Sequence, residues 1–85
     1  MTYRISVSRD VAKTLRRIHP QEVRRLKAAI TALAEDPRPA GCVELKGGAG
    51  ELRIRVGDYR VVYEVIDDEL VILVLRVGHR REVYR

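Results

Sequence analysis

The chain has 85 residues, 46% of them hydrophobic, and a formal net charge of +5. A chain this short makes one domain with one core and buries only about 60–65% of the surface its unfolded form exposes, so it cannot carry a dinucleotide-binding domain beside a catalytic one. Arginine supplies 14 of the 17 cations and the pI is near 9.9, a balance that favours a polyanionic partner such as nucleic acid, or an acidic protein.

Tyr3, Ile5 and Val7 alternate with Arg4 and Ser6, the period of a first strand. Ser8 suits a helix N-cap, with Asp10 in the first turn, and Val11, Leu15 and Ile18 form one helical stripe. His19-Pro20 breaks that helix, because the residue before proline avoids the helical region. Pro20 then opens a second helix whose stripe is Val23, Leu26, Ile30 and Leu33, ended by Asp36-Pro37-Arg38-Pro39. A short strand is expected around Val43 to Leu45, then a loop, Gly47-Gly48-Ala49-Gly50. Two longer strands follow, Leu52 to Val56 and Tyr59 to Ile66, and Asp67-Asp68-Glu69 turns into a last strand, Leu70 to Val77. That last strand is apolar on both faces, which places it inside the sheet but leaves its register open. The tail is Gly78 to Arg85. The order reads β-α-α-β-β-β: an α+β fold, with a two-helix hairpin packed on one face of a small, mostly antiparallel four-stranded sheet and a single domain over residues 1–85.

The most informative segment is Arg53-Ile54-Arg55-Val56-Gly57-Asp58-Tyr59-Arg60. If Gly57-Asp58 is a two-residue turn, Val56 faces Tyr59 and Arg55 faces Arg60. Like charges directly opposite each other destabilise a sheet, so a fold that keeps two arginines there, with Arg53 beside them, points to an anion site. Arginine suits phosphate because its planar fork of donors matches the phosphate oxygens. The alternative is that the side chains splay apart into solvent. His79, Arg80 and Tyr84 in the tail add a group titrating near neutrality, a fixed cation and an aromatic hydroxyl. Lys13, Arg16 and Arg17, with Arg24 and Lys27, lie off the apolar stripes of the two helices. They read either as an ordinary charged face or as phosphate contacts that position without reading sequence.

Other chemistries find little support. The glycine-rich loop is not followed by a helix, so it lacks the context of a dinucleotide fingerprint. His19 and His79 stand far apart with no cysteine or carboxylate cluster, and no metal or other cofactor is expected. Cys42 cannot form a disulfide within the chain and reads as a small apolar residue near a strand start. With no signal peptide in view, the expected setting is the reducing cytoplasm. The apolar run Leu70 to Leu75 is too short to span a bilayer, and no membrane partner is expected.

Almost end to end, the chain resembles the RelE/ParE superfamily of toxins from type II toxin–antitoxin systems. The resemblance rests on the helix hairpin ending in Asp-Pro-Arg-Pro and on Leu45-Lys46-Gly47. It continues through Arg53-Ile54-Arg55, Gly57-Asp58-Tyr59-Arg60-Val61-Val62-Tyr63, Val77-Gly78-His79-Arg80 and Val83-Tyr84. It favours the RelE branch, whose members enter the ribosomal A site and cut messenger RNA there. On these positions the resemblance implies that Arg60 steadies the scissile phosphate and Arg80 assists at the phosphate or the leaving group. It further implies that Tyr84 stacks on or orients the nucleotide, and that Arg53 and Arg55 complete the cluster. Lys46, Lys13, Arg16, Arg17, Arg24 and Lys27 would bind RNA or the ribosome. The implied partners are the 70S ribosome with its mRNA and a cognate RelB-like antitoxin held in a hetero-oligomer. Gyrase-poisoning ParE-type members share the fold, and a catalytically inactive binding module of this fold is a further alternative.

The chain departs from well-known RelE proteins in carrying Arg53 and Arg55 where those have lysines. Arginine does not deprotonate in a protein, so neither residue can be a general base. His79 or Tyr84 must then take the proton, or electrostatic stabilisation must carry most of the work.

Overall fold

Two helices lie against one face of a five-stranded sheet. In the computed structural model, which describes residues 2–45 and 50–79, the elements are β1 (Arg4–Val7), α1 (Arg9–Arg17), α2 (Pro20–Ala32), β2 (Val43–Glu44), β3 (Glu51–Val56), β4 (Tyr59–Ile66) and β5 (Val71–His79). The spatial order is β1-β5-β4-β3-β2. β1 runs parallel to β5, and every other neighbouring pair is antiparallel. The expected sheet of four strands is therefore corrected to five, the short strand expected at Val43 to Leu45 being the one that order left out. β2 is only two residues long, pairing Val43 with Arg53 and Glu44 with Leu52, which is too short to show a period of its own.

The helix boundaries follow local chemistry. The Ser8 hydroxyl accepts from the Val11 amide at 3.2 Å, satisfying one of the orphan donors of α1. Ile18 is extended with ψ 146, and His19, with ψ 136, stays outside the helical region that its following proline disfavours. His19 caps α2 through Nδ1, which accepts from the Gln21 amide at 3.2 Å, and Pro20 fills the first turn. The Val11 and Leu26/Ile30/Leu33 stripes face Leu52, Ile54 and Val56 of β3, Val61 and Tyr63 of β4, and Ile72, Val74 and Val77 of β5. Burying these side chains drives the fold at about 1.5–3 kcal/mol each.

Tyr63 is fully buried, and its hydroxyl donates to the Pro37 carbonyl at 2.7 Å, tying the segment after α2 to the central strand. Burial pushes its phenol well above the usual range. On the surface, Asp67 accepts from the Tyr3 hydroxyl at 2.6 Å and from Arg38 at 3.0 Å. One carboxylate thus joins the start of β1, the post-α2 segment and the β4–β5 turn. Leu70 closes that turn with φ 55.

β5 lies between β1 and β4, the interior position expected from its apolar pattern. It also carries a bulge. Val62 pairs with Arg76 but the next residue, Tyr63, pairs with Val74, so Leu75 is an extra residue on β5. The strand runs on to His79, taking in Gly78 and His79 that the sequence pattern assigned to the tail, because Arg60 and Tyr59 extend the ladder to them.

Candidate nucleic-acid interface

The β3–β4 hairpin turns on Gly57-Asp58 with Val56 opposite Tyr59 and Arg55 opposite Arg60, the register the sequence implies. Gly57 has φ 61 and Asp58 does not share the positive φ, the pattern of a type II′ turn. A Cβ at Gly57 would stand 3.2 Å from Nη1 of Arg25, whose guanidinium covers the turn from α2.

Strand alternation divides the residues of this hairpin between two faces. Leu52, Ile54, Val56, Val61 and Tyr63 point to the helices. Arg53, Arg55, Arg60 and Val62 occupy the opposite face, open in that neither helix packs on it, although Arg53, Arg60 and Val62 are themselves nearly buried. Arg55 and Arg60 form one cross-strand row that continues to Gly78 on β5. Arg53 and Val62 form the next row, flanked by Val43 on β2 and Arg76 on β5. Beyond them, Glu51 faces Glu64. The open face is thus cationic at the Gly57 end and acidic two rows away.

Burial differs sharply within the set. Arg53 and Arg60 are 8% and 6% exposed, whereas Arg55 and Arg76 are exposed. Nη1 of Arg60 donates to the Tyr59 carbonyl at 3.3 Å, which helps hold its guanidinium in place. Two nearly buried guanidiniums beside two exposed ones give a concentrated positive potential on a rigid sheet. Such a surface suits a polyanion, because charge is already desolvated where the ligand would bind.

The remaining sequence-derived candidates fall elsewhere. By register His79 pairs with Tyr59, on the helix side of the sheet, and the two rings meet edge to face with centroids 5.8 Å apart. Thr14 and Arg17 of α1 and Ile18 just after it line a hollow with them. His79 is therefore grouped with Arg17, not with the open-face arginines. Lys13, Arg16, Arg17, Arg24 and Lys27 are all exposed on the helices, so they occupy the other side of the molecule. Arg16 and Lys27 line one groove between α1 and α2, with Val7, Leu15 and Val23. Lys46, Arg80 and Tyr84 lie outside the described residues.

Arg76 is the residue that sequence reasoning missed. Continued without a break from Val74, the alternation of β5 would turn Leu75 to the open face and Arg76 to the helices. The bulge at Leu75 reverses this, sending Arg76 to the open face and Val77 into the core. No pattern in the sequence marks that extra residue. Among the described residues, no group of three His, Cys, Asp or Glu side chains is arranged to hold a metal ion, and no helix is long and apolar enough to cross a membrane.

Comparison with known proteins agrees with this architecture. The family described as the ParE toxin of the type II toxin–antitoxin system parDE matches residues 5–84. The mRNA interferase toxin RelE of Escherichia coli is 31% identical over 88 residues, covering 99% of this chain and 92% of that protein. Toxin RelG of Mycobacterium tuberculosis is 28% identical over 90 residues, covering 100% of this chain and 99% of that protein. A chain of the archaeal RelE–RelB complex from Pyrococcus horikoshii superposes with a TM-score of 0.83 at 32% identity, covering 94% of this chain and 97% of that one. The chain therefore belongs to the RelE/ParE superfamily and is a RelE-like toxin of a type II toxin–antitoxin system.

Proposed function

We propose that the protein stops translation by cutting messenger RNA on the ribosome, as a metal-independent endoribonuclease. The observation that carries this reading is the Arg55/Arg60 pair, directly opposed in the sheet, with Arg53 in the adjoining row and both Arg53 and Arg60 nearly buried. Opposed like charges are a liability that an anionic ligand would relieve. The E. coli relative is named an mRNA interferase, which supports the same substrate class.

RNA contains its own nucleophile. The 2′-hydroxyl loses its proton and its oxygen attacks the adjacent phosphorus. The bond to the 5′-oxygen breaks, and that oxygen takes up a proton. The products are a 2′,3′-cyclic phosphate and a 5′-hydroxyl. Arg60 would hold the phosphate oxygens as charge builds on them, with Arg53 and Arg55 supporting it. Arg80 would assist at the leaving group and Tyr84 would stack on or orient the nucleotide. The arginines stay protonated throughout and His79 lies on the helix side of the sheet, so the 2′-proton leaves to Tyr84 or electrostatic stabilisation carries most of the work. The ribosome supplies alignment, so free RNA is cut poorly.

The partner we infer is a RelB-like antitoxin, on the precedent of the archaeal RelE–RelB complex. An acidic amphipathic segment would cover the arginine face, with opposite charge speeding association and buried apolar anchors supplying most of the hold. The test is in-vitro translation followed by primer extension. Cut messages on ribosomes support the reading. The matching family carries the ParE name, so DNA gyrase is the second target to check. Intact messages accompanied by trapped double-strand DNA breaks would assign the chain to that activity instead.

A further inference from the structure

We propose that Arg76 is an RNA-binding residue that takes a backbone phosphate next to the one held by Arg60, so that the RNA strand crosses the sheet from β3 to β5. The proposal rests on the reading of the open face as an RNA site.

Three observations carry it. The first is register. Arg60 pairs with Gly78 and Val62 with Arg76, so Arg76 is the diagonal neighbour of Arg60 on the adjacent strand. Such neighbours sit about 7–8 Å apart, within reach of long side chains. The second is the bulge. Its extra residue, Leu75, brings Arg76 to the open face, and bulges beside functional sites commonly re-aim a side chain in this way. The third is the surroundings. Val62, 4% exposed, forms an apolar floor between Arg53 on one side and Arg76 on the other. Arg76 is exposed at the sheet edge past the end of β1, where it also borders a hollow with Asp10 and Thr14 of α1, and no ion pair or side-chain hydrogen bond among the described residues engages it.

The acidic row gives the strand its direction. Glu51 and Glu64 face each other immediately beyond the Arg53/Val62/Arg76 row. A polyanion running along β3 or β4 would meet two carboxylates. One running across the strands, from Arg55 through Arg60 to Arg76, stays within the cationic rows. Gly78 presents no side chain between Arg60 and the end of β5.

The experiment measures binding of a short single-stranded oligoribonucleotide, 2′-O-methylated so that it cannot be cut, by fluorescence anisotropy over a range of salt concentrations. Arg76→Ala should bind on the order of tenfold more weakly, the scale of one lost charge-assisted contact. The slope of log K against log salt should fall in magnitude by about 0.7, the value for one phosphate contact on a single strand. Arg76→Lys should restore the slope and Arg76→Gln should not. In ribosome-dependent cleavage, Arg76→Ala should raise KM and leave kcat within about twofold. An unchanged salt slope in Arg76→Ala would overturn the proposal. So would failure of the unmodified protein to bind the oligonucleotide, or an Arg76→Ala variant that loses antitoxin affinity alone. Failure of the underlying reading shows separately, as intact messages when the unmodified protein is added to a translation extract.

Discussion

Arg60 combines near-complete burial with a like charge directly opposite, and its two roles pull in opposite directions. For activity, Arg60→Ala and Arg80→Ala should each lower the rate of ribosome-bound cleavage on the order of 10²-fold or more, the scale for losing a preorganised charge donor. Single-turnover kinetics on programmed ribosomes would check this. For stability, Arg55 faces Arg60 across the ladder and is exposed, so Arg55→Thr should raise thermal stability by roughly 0.2–1 kcal/mol while weakening activity. A melt and a cleavage assay on the same preparation would show the two changes with opposite sign. If Arg55→Thr melted lower, the repulsion argument for an anion site would fail. The sequence alone shows that these arginines share a face, because period-2 alternation and a Gly-Asp turn are local properties. It does not show that Arg53 and Arg60 are nearly buried while Arg55 is exposed, because burial depends on what lies over the sheet.

At the scale of the elements, the N-cap of α1 and the turn of the hairpin are the points where one residue decides local geometry. Ser8→Ala removes the acceptor for the Val11 amide and should cost about 1 kcal/mol. Gly57→Ala forces a Cβ into positive φ beside the Arg25 guanidinium and should cost more than about 1 kcal/mol. Denaturant melts of both variants measure these losses. Gly57→Ala should also lower cleavage activity, since the turn sets the Arg55/Arg60 register, whereas Ser8→Ala should leave the rate of the folded fraction unchanged. The short strand at Val43 to Leu45 was legible and stands as β2, but the bulge in β5 was not. An extra residue in an apolar strand leaves no mark on a run that is hydrophobic on both faces.

The whole molecule is closed by contacts between distant segments, the exposed Tyr3–Asp67–Arg38 cluster among them. The hydrogen bond from Arg38, then that from Tyr3, holds the Asp67 carboxyl below its ordinary range. A carboxylate depressed in the folded state binds fewer protons folded than unfolded. The stability it contributes is therefore fully present above the unfolded value and is lost as pH falls through the folded one. Asp67→Asn should flatten the acid side of the stability profile, most visibly at low ionic strength, since an exposed cluster is screened by salt. Thermal melts across the acid range at two salt concentrations would show it. The two sides of the molecule should also separate in function. Arg16→Ala and Lys27→Ala, on the helix side, should weaken ribosome binding and reduce its salt dependence without changing the rate of bound complexes. Equal loss of the cleavage step in these variants and in Arg60→Ala would contradict that division.

By itself, the sequence determined the elements whose signals are local. These are the two capped helices with their apolar stripes, the proline break between them, and a hairpin whose turn places Arg55 against Arg60. Each is set by residues within a few positions of one another. The tertiary structure decided what depends on partners far along the chain. It set the parallel pairing of β1 with β5, the place of β2 at the sheet edge beside β3, and the near-burial of Arg53 and Arg60. Above all it set the faces taken by the end of β5. A strand's side chains alternate with period two, so one extra residue exchanges every position beyond it between core and open face. The bulge at Leu75 is that residue. It carries Arg76 to the arginines and His79 to Tyr59, and its place is defined only where β5 is laid against β4.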